Sequence, residues 1–260
     1  MSSIPPSLRK EFESIQSGEA NNRKQNIGRL SDGDLTNCEI LLLMYNTLLD
    51  SLRDAKGNDL GETAFTFFLW LVSYCQRGLV VGLDRLLKGY FNDSYHSLRI
   101  SVECACHAYK GACDPDLIPV WLDSIEGDEA YRAAQKLFAK RFSGKEDLLA
   151  GLKAVWEDAS TYSHASPFSV GCFAEYDGDG IQVRYFDKPF TGDFDSVFDT
   201  ITSGHTFILS VLYQVFSDFL SEMRRMIFLA GLVKLGSRSS GNPPSDLEQL
   251  RNRVITTMVQ

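Results

Sequence analysis

The sequence predicts a mainly α-helical protein, a multi-helix antiparallel bundle with one inserted β-hairpin. Apolar residues recur at helical spacing over most of the chain, and the spacing changes to alternation at about 168–186. With 260 residues, 44% of them hydrophobic and 23% charged, the chain is long and apolar enough to bury one large core. We therefore expect residues 1–235 to form a single helical bundle domain that begins with a short helix.

Apolar spacing and capping residues define the predicted helices. They are expected at 7–17, 32–55, 62–90, 92–111, 116–126, 128–141, 143–162 and 195–235, the last with a candidate break near Gly204. Polar residues 18–29 predict a loop after the first helix. Gly78 and Gly82 lie one turn apart on the third helix, where a neighbouring helix can approach closely.

The hairpin is predicted from two alternating segments that flank a turn. Alternate residues are apolar over 168–174 and again over 181–185, and the sequence Asp-Gly-Asp-Gly at 177–180 lies between them. After the bundle, residues 236–245 are rich in Ser, Gly and Pro and predict a linker. Residues 246–260 predict a C-terminal amphipathic helix.

Charge and cysteine content indicate a soluble cytoplasmic protein. The net charge of −8 argues against a protein that coats nucleic acid or anionic lipid. The most apolar stretch, Ala64 to Leu87, contains Gln76 and Arg77 near its middle, which favours a core helix over a membrane span. The six cysteines include no Cys-x-x-Cys pair, and the four histidines are scattered, so neither disulfides nor a metal site is predicted.

One helix carries a face of titratable side chains. At 100° per residue, His96, Arg99, Glu103, His107 and Lys110 fall within about 80° of each other, opposite an apolar face. Arg99 is suited to hold a phosphate or carboxylate, and Glu103 to orient an imidazole. The alternative is a solvated face with ordinary i,i+4 charge pairs.

Charged residues also interrupt the apolar third helix. Arg77 and Asp84 lie two turns apart on it, and a buried charge requires a partner. If this helix and the next pack as a hairpin, both residues meet Arg99 and Glu103 in one interior polar network. The predicted ligand-binding residues are therefore Arg77, Asp84, His96, Arg99 and Glu103. The alternative is an ion-pair network with a purely structural role.

Catalytic motifs are sparse. His164 follows a predicted helix and is either a helix cap or a catalytic group, although no Gly-x-Ser-x-Gly elbow accompanies it. The acidic run from Glu175 to Asp179 imitates a calcium loop but has Phe186 at the twelfth position, where glutamate is required. The sequence has no phosphate-binding loop and no dinucleotide fingerprint, so no cofactor is predicted.

Residues of about 75–165 resemble a family of uncharacterised bacterial helical proteins. In that family a helix with Leu-x-Arg-x-x-x-Glu is followed by an Asp-Pro turn and a tryptophan. This chain has Arg99, Glu103, Asp114-Pro115 and Trp121, with Leu98 directly before Arg99. A later Tyr-Ser-His element is matched by residues 162–164. The resemblance implies a helical bundle and no established activity.

The bundle is also distantly similar to HEPN domains. Some of these are metal-independent ribonucleases of bacterial defence systems, with an arginine followed by four to six residues and a histidine. Here seven residues separate Arg99 from His107, and the polar neighbour usual after the arginine is missing. The resemblance makes Arg99, His107 and His164 the candidate catalytic residues.

Two hypotheses follow, and the sequence does not decide between an enzyme and a binding protein. The first is a ligand-binding or protein-interaction module with an interior Arg/Asp/Glu cluster, whose partner is a small anionic ligand or another protein. The alternative is a HEPN-like ribonuclease or toxin, the only case in which a nucleic acid is expected as partner. In both cases we expect a homodimer formed through apolar helix faces and no association with a membrane.

Overall fold

The computed structural model describes residues 6–56, 60–124, 147–163 and 194–236, two short strands, and residues 127, 129 and 132. This part of the chain is mainly helical, as predicted. Its α-helices are α1 Pro6–Ile27, α2 Asp32–Ala55, α3 Glu62–Lys88, α4 Phe91–Cys113, α5 Leu117–Asp123, α6 Asp147–Ser163, α7 Phe194–Phe216 and α8 Glu222–Gly236. A 3-10 turn, Ser217–Phe219, separates α7 from α8.

Helix α3 lies at the centre of the bundle. It packs against α1, α2, α4, α5 and α7, and its Phe67, Leu79 and Leu86 are fully buried. The apolar sequence of its first half suggests a helix surrounded by others, but that half is not fully enclosed, because Trp70 and Tyr74 are exposed. Of the helices described, α3 is the one whose length and composition would allow it to cross a membrane.

The contact between α3 and α4 is made by small residues. Gly78 faces the first half of α4, where an added Cβ would lie 2.9 Å from the Ser97 carbonyl oxygen and overlap with Ser101 Oγ. The Cys75 thiol donates a hydrogen bond to the Ser101 carbonyl, at 3.3 Å. The close approach predicted at Gly78 is therefore confirmed, and it fixes which side of α4 faces the core.

Helix α1 is longer than predicted. The loop expected over 18–29 is wrong, because α1 continues to Ile27. The amides of Asn22 and Asn26 on α1 donate hydrogen bonds to the last carbonyls of α3, at 3.0 and 3.1 Å. These contacts are polar, so the apolar spacing of the sequence did not reveal them.

Helix α7 is not broken near Gly204. The chain is helical from Phe194 to Phe216, and the interruption comes only at the 3-10 turn that follows. An added Cβ on Gly204 would lie 2.9 Å from Leu98 and 3.3 Å from Val155. This glycine therefore admits neighbouring side chains and does not end the helix.

The inserted hairpin is not established. Strands β1 (Ala174–Tyr176) and β2 (Ile181–Val183) pair antiparallel with Ala174 opposite Val183. The other residues of 168–186 lie outside the described part of the chain, so the hairpin remains a prediction. The same holds for most of the helix predicted at 128–141 and for residues 237–260.

Candidate functional site

Helices α4 and α6 run antiparallel and bring polar and aromatic side chains together. At one end, the rings of Tyr95 and Tyr162 stack with centroids 4.6 Å apart. At the other end, the Trp156 indole N–H donates a hydrogen bond to Glu103 Oε1, at 2.8 Å. Arg99 lies between these two contacts on α4. Because both pairs fix the register, Arg99 is at the level of residues 159–160 on α6.

Arg99 is held on two sides. Its Nε lies 3.3 Å from Glu103 Oε1, and its guanidinium lies 5.3 Å from the centroid of the Trp156 ring. The Arg99 side chain is 21% exposed and that of Glu103 is 23% exposed, so the ion pair is largely shielded from water. The Nε atom is buried and makes no hydrogen bond, so its contact with Glu103 is an ion pair only. Within the described ranges, no further ion pair reaches the two terminal amino groups of Arg99.

Two serines lie in this part of α6, Ser160 level with Arg99 and Ser163 about one turn further along, level with Tyr95. Ser160 and Ser163 follow Trp156 by four and seven residues, which places all three on one side of α6. The Oγ atoms of both serines are buried and have no hydrogen-bond partner in the part of the chain that is described. The site thus combines one cation, an aromatic face and, level with them, the Ser160 hydroxyl.

The predicted network of Arg77 and Asp84 with Arg99 and Glu103 is wrong. Arg77 is exposed, and so is His96, so neither contributes to an interior cluster. The reason is the orientation of α3. Gly78 faces α4, and one residue turns the helix by about 100°, so Arg77 and Asp84 lie on the outer side of α3.

Asp84 instead attaches α1 to the bundle. Its carboxylate forms ion pairs with Arg23 of α1 and with Lys88, the latter at 3.0 Å. Next to this group, the Tyr90 hydroxyl donates a hydrogen bond to Glu19 at 3.0 Å. Burial, and then the contact with Glu19, raise the pKa of Tyr90 to about 12. Asp84 therefore has a structural role, which is to hold α1 against α3.

Neither a protein-family model, nor a curated protein, nor a solved structure matches the chain. Function must therefore be argued from the geometry of the site. In the described ranges, no group of three or more His, Cys, Asp or Glu residues is placed to hold a metal ion.

The candidate catalytic histidines are not brought to Arg99 by the structure described. His107 is eight residues further along α4, about 12 Å along the helix axis at 1.5 Å per residue. His164 lies outside the described residues. The proposed pairing of Arg99 with either histidine therefore remains a prediction.

A second polar pair, in the centre of the bundle, was not singled out in the sequence. The Tyr45 hydroxyl of α2 and Nδ1 of His205 on α7 share a hydrogen bond of 2.8 Å, and both residues are fully buried. Burial lowers the pKa of His205 to about 3 and raises that of Tyr45. The available signal was the presence of one histidine within the apolar sequence of α7.

Proposed function

We propose that the protein is a binding module for a small anionic ligand, with its site between α4 and α6 and Arg99 as the residue that contacts the anion. One observation carries the proposal: Glu103 and Trp156 hold the Arg99 guanidinium in place, while its terminal amino groups have no described partner. Paired N–H groups of arginine match the oxygens of a carboxylate or phosphate. The proposal keeps Arg99 and Glu103 from the sequence hypothesis and omits Arg77, Asp84 and His96.

The surroundings of Arg99 favour binding in two ways. The ion pair with Glu103 and the Trp156 ring restrict the side chain before a ligand arrives, which reduces the entropy lost on binding. The partial burial of Arg99 also strengthens a charge-assisted hydrogen bond, which typically contributes about 1.5–3 kcal/mol. Glu103 opposes an anion by charge, but its Oε1 is occupied by Arg99 and Trp156.

The test compares Arg99→Lys with Arg77→Lys. Lysine keeps the charge but not the paired N–H groups, and Arg77 is a matched control because it is an exposed arginine on the neighbouring helix. Native mass spectrometry of the purified proteins should detect a co-purifying anion with the wild type and with Arg77→Lys, and lose it with Arg99→Lys. Inorganic phosphate should raise the Tm of the wild type and of Arg77→Lys, and leave that of Arg99→Lys unchanged.

Two results would overturn the proposal. The first is an Arg99→Lys protein that binds as the wild type does. The second is cleavage of single-stranded RNA by the wild type that is lost in Arg99→Lys, since this would favour the HEPN-like ribonuclease expected as the alternative. Circular dichroism of each variant establishes that it is folded.

We also propose that copies of the chain associate through apolar helix faces in the cytoplasm, as the sequence predicts. Large apolar side chains, including Trp70, Tyr74 and Val80, are exposed on the outer side of α3. Sedimentation velocity of the full chain tests the association. A single species of 29 kDa would refute it.

A further inference from the structure

The helical hydroxyls of this protein follow a common pattern from which Ser160 departs. Serine and threonine side chains in these helices commonly donate to the carbonyl four residues earlier. Ser97 does so at 2.9 Å, Thr161 at 3.0 Å and Thr206 at 2.8 Å. The Ser160 hydroxyl makes no such bond, although α6 is intact around it and the residue is 9% exposed. Ser163 Oγ is likewise buried without a partner in the described chain.

A buried hydroxyl without a hydrogen bond is costly, and folded proteins contain few of them. Ser160 does not use the carbonyl four residues earlier, that of Trp156, whereas its neighbour Thr161 donates to the Glu157 carbonyl. An unsatisfied group of this kind requires an explanation, and one explanation is a partner that is not part of the chain. The missing hydrogen bond of the Ser160 hydroxyl therefore points to a bound ligand.

The position of Ser160 on α6 places it beside Arg99. Relative to Trp156, Ser160 is rotated by about 40° and Ser163 by about 20° on a helix of 3.6 residues per turn. Trp156 contacts Glu103 and Arg99, and the register places Ser160 at the level of Arg99. Ser163 lies about one turn further along α6, level with Tyr95, so Ser160 is the serine placed beside Arg99.

We infer that Ser160 donates a hydrogen bond to the same anion as Arg99, and that this anion is a phosphate monoester. The inference rests on the function proposed above. The lone pairs of a carboxylate lie in one plane, whereas the terminal oxygens of a phosphate point in three directions. Donors that come from two different helices suit the tetrahedral group. Ser160, the more buried serine, is the residue that determines specificity.

The test uses Ser160→Ala, with Thr161→Ala as the matched control on the same helix. Thr161 is exposed, and its hydroxyl is already bonded to the backbone. Calorimetric titration of each protein with glycerol phosphate and with acetate measures the affinity. Loss of one hydrogen bond to a charged group predicts about tenfold weaker binding of glycerol phosphate to Ser160→Ala, and no change for Thr161→Ala. Without ligand, Ser160→Ala should have a Tm equal to or above that of the wild type.

The outcomes separate this inference from the proposed function. If Arg99→Lys loses glycerol phosphate while Ser160→Ala binds it normally, the serine inference is wrong and the binding function stands. If Arg99→Lys also binds glycerol phosphate normally, both the serine inference and the proposed binding function fail. Equal binding of acetate and glycerol phosphate to the wild type refutes the phosphate class. A marked fall in the Tm of ligand-free Ser160→Ala shows that the hydroxyl has a structural partner and overturns the inference.

Discussion

Replacing Gly78 by alanine tests the α3–α4 contact that positions Arg99. The added methyl group would lie 2.9 Å from the Ser97 carbonyl oxygen and overlap with Ser101 Oγ, so the helices must separate or Ser101 must turn away. Overpacking of this kind costs about 1–3 kcal/mol. Turning Ser101 away also breaks its hydrogen bond to the Ser97 carbonyl, a loss of about 1 kcal/mol.

Helix propensity acts in the opposite direction. Alanine is favoured over glycine within a helix by about 1 kcal/mol, which offsets the lost hydrogen bond. We therefore expect Gly78→Ala to lower the free energy of unfolding by about 1–3 kcal/mol. At Gly82, one turn later, the nearest atom is 3.5 Å from an added Cβ, which is ordinary contact. Gly82→Ala should consequently raise the free energy of unfolding by up to about 1 kcal/mol.

Urea unfolding followed by circular dichroism measures both variants in one buffer. The prediction requires the midpoint of Gly78→Ala to fall and that of Gly82→Ala to stay or rise, with unchanged m values. Adding Ser101→Ala to Gly78→Ala removes the overlapping oxygen and should recover part of the loss. If Gly78→Ala is as stable as Gly82→Ala, the two helices are further apart than described and the reasoning is refuted.

Two further predictions concern the buried Tyr45–His205 pair. Burial lowers the pKa of His205 from 6.5 to about 3, so between these pH values the histidine is protonated in the unfolded chain and neutral in the folded one. The free energy of unfolding should therefore fall as the pH drops from about 6.5 towards 3. Urea titrations at several pH values measure the slope of the free energy of unfolding against pH. The slope should be smaller in the double variant Tyr45→Phe/His205→Leu, and an equal slope would show that His205 is not its source. At neutral pH, Tyr45→Phe alone leaves His205 Nδ1 without its partner and should cost about 1–3 kcal/mol. In a double-mutant cycle, the pair of substitutions should cost less than the sum of the single ones, and additivity would contradict the bond.

The sequence was most informative where apolar spacing is strong and helix ends are marked. The third and fourth helices were expected at 62–90 and 92–111, and they occupy Glu62–Lys88 and Phe91–Cys113. The extension of α1 was missed because polar side chains hold it, and polar contacts leave no apolar period. Gly204 is a candidate break by sequence because helix propensity cannot distinguish a helix end from a close contact.

The candidate site was partly predictable for similar reasons. The pair of Arg99 and Glu103 follows from i,i+4 spacing, which depends on one helix alone. Its third member, Trp156, is 53 residues away from Glu103 and could be placed only by the packing of α6. The sequence predicts Arg77 in the interior because α3 is apolar on most sides and does not show which side faces solvent.

The attachment of α1 determines how this helix can leave the molecule. The described core contains no residue of α1, and the hydrogen bonds and ion pairs described between α1 and α3 fall within residues 19–26. Salt weakens the contribution of exposed charges, since the screening length is about 10 Å at 0.1 M. A concentrated salt solution should thus loosen the N-terminal helix while the remaining helices keep their apolar packing, so α1 detaches as an appendage and not as part of a global melting event.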